Sequence, residues 1–177
     1  MKYLEEVQKG MDRLASHPKS IFIGQAVEFK GTALTHQVKD YSPEKLLEMP
    51  VAEEMQAGFA LGLALEGYLP ISLYPRMNFI TLAINQIINH LDKWSAMSCG
   101  SSCPKVIMKA VVGSEYPLDP GHQHKANYTQ AFKNLTTNID VVELLYPEDI
   151  FPAYKKALEN STSTLLIEHA DFYKDAS

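Results

Sequence analysis

The chain has 177 residues, a formal charge of −5 and 46% apolar residues, enough for one domain with a sizeable core. Acids and bases are interspersed, which speaks against nucleic acid as the main partner. No apolar run approaches the length that crosses a bilayer, and the charged opening MKYLEEVQKGMDRL argues against a secretory leader.

Leu4, Val7, Met11 and Leu14 fall on one face at helical spacing, predicting a helix over 2–15. IFIGQAV, at 21–27, is a short apolar run of the kind that forms a buried strand. A helix rich in small residues is expected over 53–66, stopped by Gly67, followed by a strand over 70–74. Ile80, Ile84, Ile87, Ile88 and Leu91 form a helical stripe. The CGSSC stretch then carries both cysteines, Cys99 and Cys103. With no leader the expected compartment is the reducing cytoplasm, and the thiols are expected to be free. A Cys-x3-Cys pair is open to a redox or metal role, although the usual redox spacing is Cys-x-x-Cys. A loop that merely carries two thiols is the plainer reading. KVIMKAVV predicts a strand over 105–112, 128–135 a short helix and 139–145 a strand; Pro147 and Glu148 open a helix reaching about 160, and 164–168 closes as a strand.

Strands separated by helical segments predict an α/β fold, a single-domain parallel sheet with helices on both faces. The strands are continuously apolar rather than alternating, as in sheets buried on both sides. Ligands in such folds sit beyond the carboxyl ends of the strands, here the segments 28–40, 75–78, 113–125 and 146–149.

The most informative stretch is MPVAEEMQAGFALGLALEG. Gly58 and Gly62 share one helix face, as do Ala60 and Ala64. Glycine inside a helix costs about 1 kcal/mol relative to alanine, so a pair of them implies a close approach, either within this chain or to a partner. Glu53 and Glu54 stand in the first turn, where acids complement the helix dipole.

PVAEEMQAGFALGLALEGYLPI resembles the segment around the cofactor-activating glutamate in the beta subunits of 2-oxo acid dehydrogenase first components and in transketolases. The shared features are Pro50, Glu53, the Gly58–Phe59 pair, Gly62, and then Gly67, Tyr68, Pro70 and Ile71. IFIGQAVEFKGTALT resembles that family's first strand and loop, NQIINHLDKW the helix after its second strand, VVELLYPEDIFPAYKKAL the strand and helix near its end, and TLLIEHADFY its last strand. The similarity runs from about 20 to 173. The implied organisation is a single pyrimidine-binding domain over 1–177, with an N-terminal helix at 1–19 and the family-like core at 20–173.

The resemblance implies a thiamine-diphosphate enzyme that cleaves or forms a carbon–carbon bond next to a carbonyl. It casts Glu53 as the glutamate that hydrogen-bonds the cofactor aminopyrimidine, with Glu54 the rival by register. It places Phe79, or alternatively Tyr74, against the pyrimidine ring; core packing is the plain reading of either. Arg76 in the same loop is a candidate for an anionic substrate group. In PLDPGHQHKANYTQAF the family carries a substrate-facing histidine, which counting from Phe132 puts at His124 and the Gly-His-Gln wording puts at His122. A neutral imidazole suits proton transfer. The His-x-His pair lacks a third ligand at convincing spacing, so no metal site is expected on this chain.

Two departures qualify the match. The family's first loop reads Gly-Glu-Asp-Val, where this chain has Gly24, Gln25, Ala26 and Val27. The chain also lacks the family's Gly-Asp-Gly segment and downstream Asn that bind magnesium and diphosphate. The expectation is therefore a separate diphosphate-binding subunit that holds the diphosphate and Mg2+, in a heterotetramer of two plus two, acting on a small polar or anionic carbonyl substrate. The alternative is a non-catalytic scaffold or regulatory subunit that keeps the fold without cofactor chemistry. A third, unrelated reading is a small α/β enzyme using the thiols or a His-bound metal.

Overall fold

The computed structural model describes residues 2–29, 33–115 and 119–176. In chain order these form α1 (Tyr3–Ala15), β1 (Ser20–Gly24), α2 (Ala33–Val38), β2 (Leu46–Glu48), α3 (Glu53–Leu65), β3 (Leu69–Tyr74), α4 (Met77–Ile80), α5 (Trp94–Met97), β4 (Ile107–Val112), α6 (Thr129–Leu135), β5 (Ile139–Glu143), α7 (Pro147–Glu159) and β6 (Ser163–His169). Single 3-10 turns lie at Pro43–Lys45, Thr81–Ala83 and His122–His124, and a longer 3-10 stretch at Ala170–Ala176.

The six strands form one sheet in the order β2-β1-β3-β4-β6-β5, and every neighbouring pair is parallel. Parallel pairing requires a crossover between strands, so helices cover both faces, as the apolar strand runs predict. On one face α1 and α7 bury Val7, Met11, Leu14, Ile150 and Tyr154 against Phe22, Ile71, Leu73, Ile107 and Leu166. Gly10 sets the approach of these helices, because a β-carbon there would lie 2.5 Å from the Tyr154 ring. On the other face Ala60, Met77, Ile80, Ile87 and Phe132 pack against Ile23, Tyr74, Met108, Ala110 and Ile167.

The chain leaves β1 for the edge strand β2, then returns on the other side of β1 as β3. Strand order thus reverses between β1 and β3, and that reversal opens a crevice at the carboxyl ends of the strands. The start of α3 lies over this point.

Three elements depart from the sequence expectation. β2 is three residues long and too brief to leave a periodic signal. The predicted strand over 21–27 ends at Gly24, and Gln25 begins a loop. The stripe from Ile80 to Leu91 is broken into α4, the 3-10 turn at Thr81–Ala83 and a π-helical turn at Gln86–Leu91. Ile80, Ala83 and Ile87 still face the core, so the apolar spacing reports the buried face and not the helix type.

One feature of the first face has no counterpart in the sequence reading. Lys109 on β4 and Glu168 on β6 are both fully buried and form an ion pair at 3.2 Å. The Tyr154 and Tyr173 hydroxyls donate to the two oxygens of Glu168, and Lys109 also donates to Gln37. Burial alone pulls the Lys109 ammonium below its ordinary value, and the Glu168 carboxylate opposes that pull. Among the described residues no helix is long and apolar enough to cross a membrane.

Candidate active site

The site is built from the loop after β1. Glu48, the last residue of β2, accepts the backbone N–H groups of Ala26, Val27 and Glu28 at 2.7, 2.8 and 3.0 Å. Successive amides converging on one carboxylate make an anion-holding nest. They also hold Ala26 at a φ of 59°, a left-handed conformation that costs a non-glycine residue roughly 1 kcal/mol. Before the loop, the chain passes so close to β3 that a β-carbon at Gly24 would lie 2.6 Å from the Leu73 carbonyl oxygen.

So held, the loop turns the Gln25 side chain onto Glu53, and Gln25 Nε2 donates to Glu53 Oε1 at 2.9 Å. Glu53 is the first residue of α3 and only 4% exposed. The helix N-terminus favours a negative charge at this position. Among the described residues its second oxygen, Oε2, accepts no hydrogen bond. Glu54 is exposed and accepts from Asn85 Nδ2 at 3.3 Å and Gln86 Nε2 at 3.4 Å. One turn on, the buried Gln56 donates to Ser72 Oγ and to the Leu73 carbonyl, both at 3.0 Å, which ties α3 to β3.

Tyr74 ends β3 with its ring in the core, 1% exposed. Burial, with the Glu53 charge adding to it, holds its phenol above the ordinary value, and among the described residues its hydroxyl has no hydrogen-bond partner. Arg76 follows, half-buried, and its Nη1 lies 3.0 Å from where a β-carbon on Gly113 would sit. Among the described residues no carboxylate pairs with it. Phe79 is half-buried, and its ring lies 5.4 Å from that of His124 at an interplanar angle of 58°.

The 3-10 turn at His122–His124 sits over the end of β4. A β-carbon at Gly113 would lie 2.4 Å from the His124 carbonyl oxygen, so glycine is what lets the turn close there. Among the described residues, His124 Nδ1 and Asn78 Oδ1, like the Tyr74 hydroxyl, are buried without a hydrogen-bond partner. Lys125 anchors the loop through Glu115 at 3.0 Å and Asp119 at 3.2 Å. His122 is exposed.

The structure therefore brings Arg76, Phe79 and His124 together, sets Glu53 at the strand reversal, keeps Tyr74 in the core and leaves His122 outside. Parts of two quoted motifs, 30–32 and 117–118, lie outside the described residues. Gln25, Glu48 and Asn78 were missed by sequence reasoning. The only signal for the first two was the altered loop and a glutamate shortly before Pro50. Among the described residues, no group of three or more His, Cys, Asp or Glu side chains could hold a metal ion, and Cys99 and Cys103 are free and exposed.

The sequence pattern of the transketolase pyrimidine-binding domain matches residues 1–174. The chain belongs to that family. As a member of the pyrimidine-binding family it is 25% identical over 180 residues to the pyruvate dehydrogenase E1 component subunit beta-2 of Oryza sativa subsp. japonica, covering 99% of this chain and 47% of that one. It is 26% identical to the 2-oxoisovalerate dehydrogenase subunit beta of Bacillus subtilis (strain 168), covering 98% of this chain and 54% of that one. The chain thus spans about half the length of these relatives. Among solved structures, a split gene transketolase described as an inactive beta4 tetramer superposes with a TM-score of 0.70 at 21% identity, over 96% of this chain and 51% of that one. That likeness confirms the pyrimidine-domain fold.

Proposed function

We propose that this chain is the pyrimidine-binding subunit of a thiamine-diphosphate enzyme of the transketolase or 2-oxo acid dehydrogenase type, completed by a separate subunit that holds the diphosphate and Mg2+. The observation that carries this reading is Glu53: a buried carboxylate at the strand reversal, with one oxygen taken by Gln25 and the other uncommitted among the described residues. When bound, the cofactor supplies a thiazolium carbon that adds to a carbonyl carbon once it has lost its proton.

The residues present fit its aminopyrimidine. Glu53 Oε2 is a free acceptor for a protonated ring nitrogen, and the half-buried Phe79 offers a ring face. His124, beside Phe79, is placed to donate or take a proton at the substrate. Arg76, with no carboxylate partner among the described residues, matches an anionic group on a carbonyl substrate. Val51, Met55 and Phe59, exposed by 82%, 49% and 45% around the same edge, form apolar surface for the partner subunit. The relatives named above are beta subunits, and a heterotetramer of two plus two is the assembly we propose.

The test is co-expression with the diphosphate-binding chain and replacement Glu53→Gln. Loss of a positioned proton-transfer group lowers turnover about 10²- to 10⁴-fold, with cofactor still bound by calorimetry. Undiminished turnover in the variant would remove the assigned role.

A further inference from the structure

Gln25 bonds one oxygen of Glu53, and among the described residues nothing bonds the other. We infer that Gln25 is a positioning residue that holds Glu53 in a single orientation, with Glu48 as the anchor that makes the hold rigid. The inference rests on the functional reading of Glu53 given above and extends it to residues outside the motif.

Glu48 fixes the backbone of Ala26, Val27 and Glu28 through three hydrogen bonds, and Gly24 is pressed against the Leu73 carbonyl. Gln25 lies between these two constraints, so its backbone is fixed on both sides. Its amide Nε2 reaches Glu53 Oε1 at 2.9 Å. The helix start and the Gln56 bonds to β3 fix the other side of the pair. A carboxyl group on a free side chain rotates to present either oxygen; with Oε1 bonded, Oε2 alone is offered to the crevice.

The residue type matters as well as the contact. An amide donates to a carboxylate without competing for its proton. A carboxyl group at position 25 would set two acids at hydrogen-bond distance, where one proton is shared between them. Among the described residues, the Tyr74 phenol on β3 senses the Glu53 charge, Glu54 on the same helix turns outward to Asn85 and Gln86, and Glu48 is occupied by the backbone amides of the loop. None supplies the hydrogen bond that Gln25 makes.

The experiment has two arms. In the full-length chain labelled with nitrogen-15, the Gln25 side-chain amide is followed by NMR. A hydrogen-bonded amide shows one of its two proton signals moved downfield of the free glutamine range, and Glu53→Ala returns that signal to it. In the assembled enzyme, Gln25→Met, which keeps length and removes the donor, lowers kcat about tenfold with KM unchanged, as expected for an interaction worth ~1.4 kcal/mol in the transition state. Gln25→Glu moves the acid limb of the pH–rate profile upward by about one unit, and Glu48→Gln gives a milder form of the Gln25→Met effect. A Gln25 amide at free-glutamine shifts and insensitive to Glu53→Ala overturns the inference, as do unchanged kcat in Gln25→Met and an unmoved acid limb in Gln25→Glu. Full activity in Glu53→Gln is the separate result that overturns the reading beneath it.

Discussion

Glu53 and Glu168 are both buried, at 4% and 0% exposure, and the molecule treats them oppositely. Glu168 has a tyrosine hydroxyl on each oxygen and the Lys109 ammonium at 3.2 Å. Glu53 has one amide on one oxygen. The first is a carboxylate satisfied on all sides, wedged between β4, β6, α7 and the C-terminal 3-10 stretch. The second sits at the strand reversal with acceptor capacity unused. A buried charge that is fully partnered belongs to the structure; one left short of partners marks where a ligand is expected.

The contrast breaks most sharply at Lys109. Lys109→Met strands Glu168 in the core, and urea unfolding is expected to show a loss of about 3–5 kcal/mol. Changing Glu168 to Leu in the same chain recovers much of that loss, because a buried pair replaced whole by apolar groups is far less costly than a pair cut in half. Glu53→Gln is expected to shift unfolding by less than ~1 kcal/mol, since an amide can keep a hydrogen bond with Gln25. A large loss there would place Glu53 with the structural carboxylates.

The helix contact on the Lys109 side gives a medium effect. Gly10→Ala drives a methyl into the Tyr154 ring and is expected to cost about 1–3 kcal/mol in the same assay, while thiamine diphosphate binding by the assembled complex stays unchanged. On the other side, Phe79→Ala is expected to weaken that binding about tenfold by calorimetry, equivalent to ~1.4 kcal/mol for a lost ring contact, with unfolding little affected.

The smallest expected effect is a pH slope. Burial, then the charges of Lys105, Lys45 and Lys19, hold the His17 imidazole below its ordinary value of 6.5. The unfolded chain therefore binds this proton more readily than the folded one. Stability rises with pH across the window from the lowered value up to 6.5 and is flat above it. His17→Gln, followed by unfolding midpoints from pH 5 upward, should remove that part of the slope.

These two glutamates also show what a sequence can disclose. Glu53 was legible because its neighbours Pro50, Gly58, Phe59 and Gly62 lie within one helix turn or a few of it. The alternation of apolar strands and helices was legible for the same local reason, and it led to the parallel sheet. Lys109 was hidden inside KVIMKAVV, where one lysine barely disturbs an apolar run, and its partner Glu168 lies on a strand far along the chain. Gln25 and Glu48 were hidden likewise. Their link depends on β2 pairing beside β1, with Gly24 level with Glu48, and a three-residue edge strand carries no pattern of its own. Counting from Phe132 points to His124 and the Gly-His-Gln wording to His122; the structure sets His124 beside Phe79, where Gly113 lets its turn close, and leaves His122 in solvent.

The central claim is that the unused oxygen of Glu53 receives the cofactor ring. A crystal structure of the chain assembled with its diphosphate-binding partner and thiamine diphosphate tests this most directly. The account predicts the aminopyrimidine in the crevice between β1 and β3, its ring nitrogen about 2.6–3.2 Å from Glu53 Oε2, with Gln25 still on Oε1. A ring bound elsewhere, or a Glu53 carboxylate turned away from it, would contradict the account.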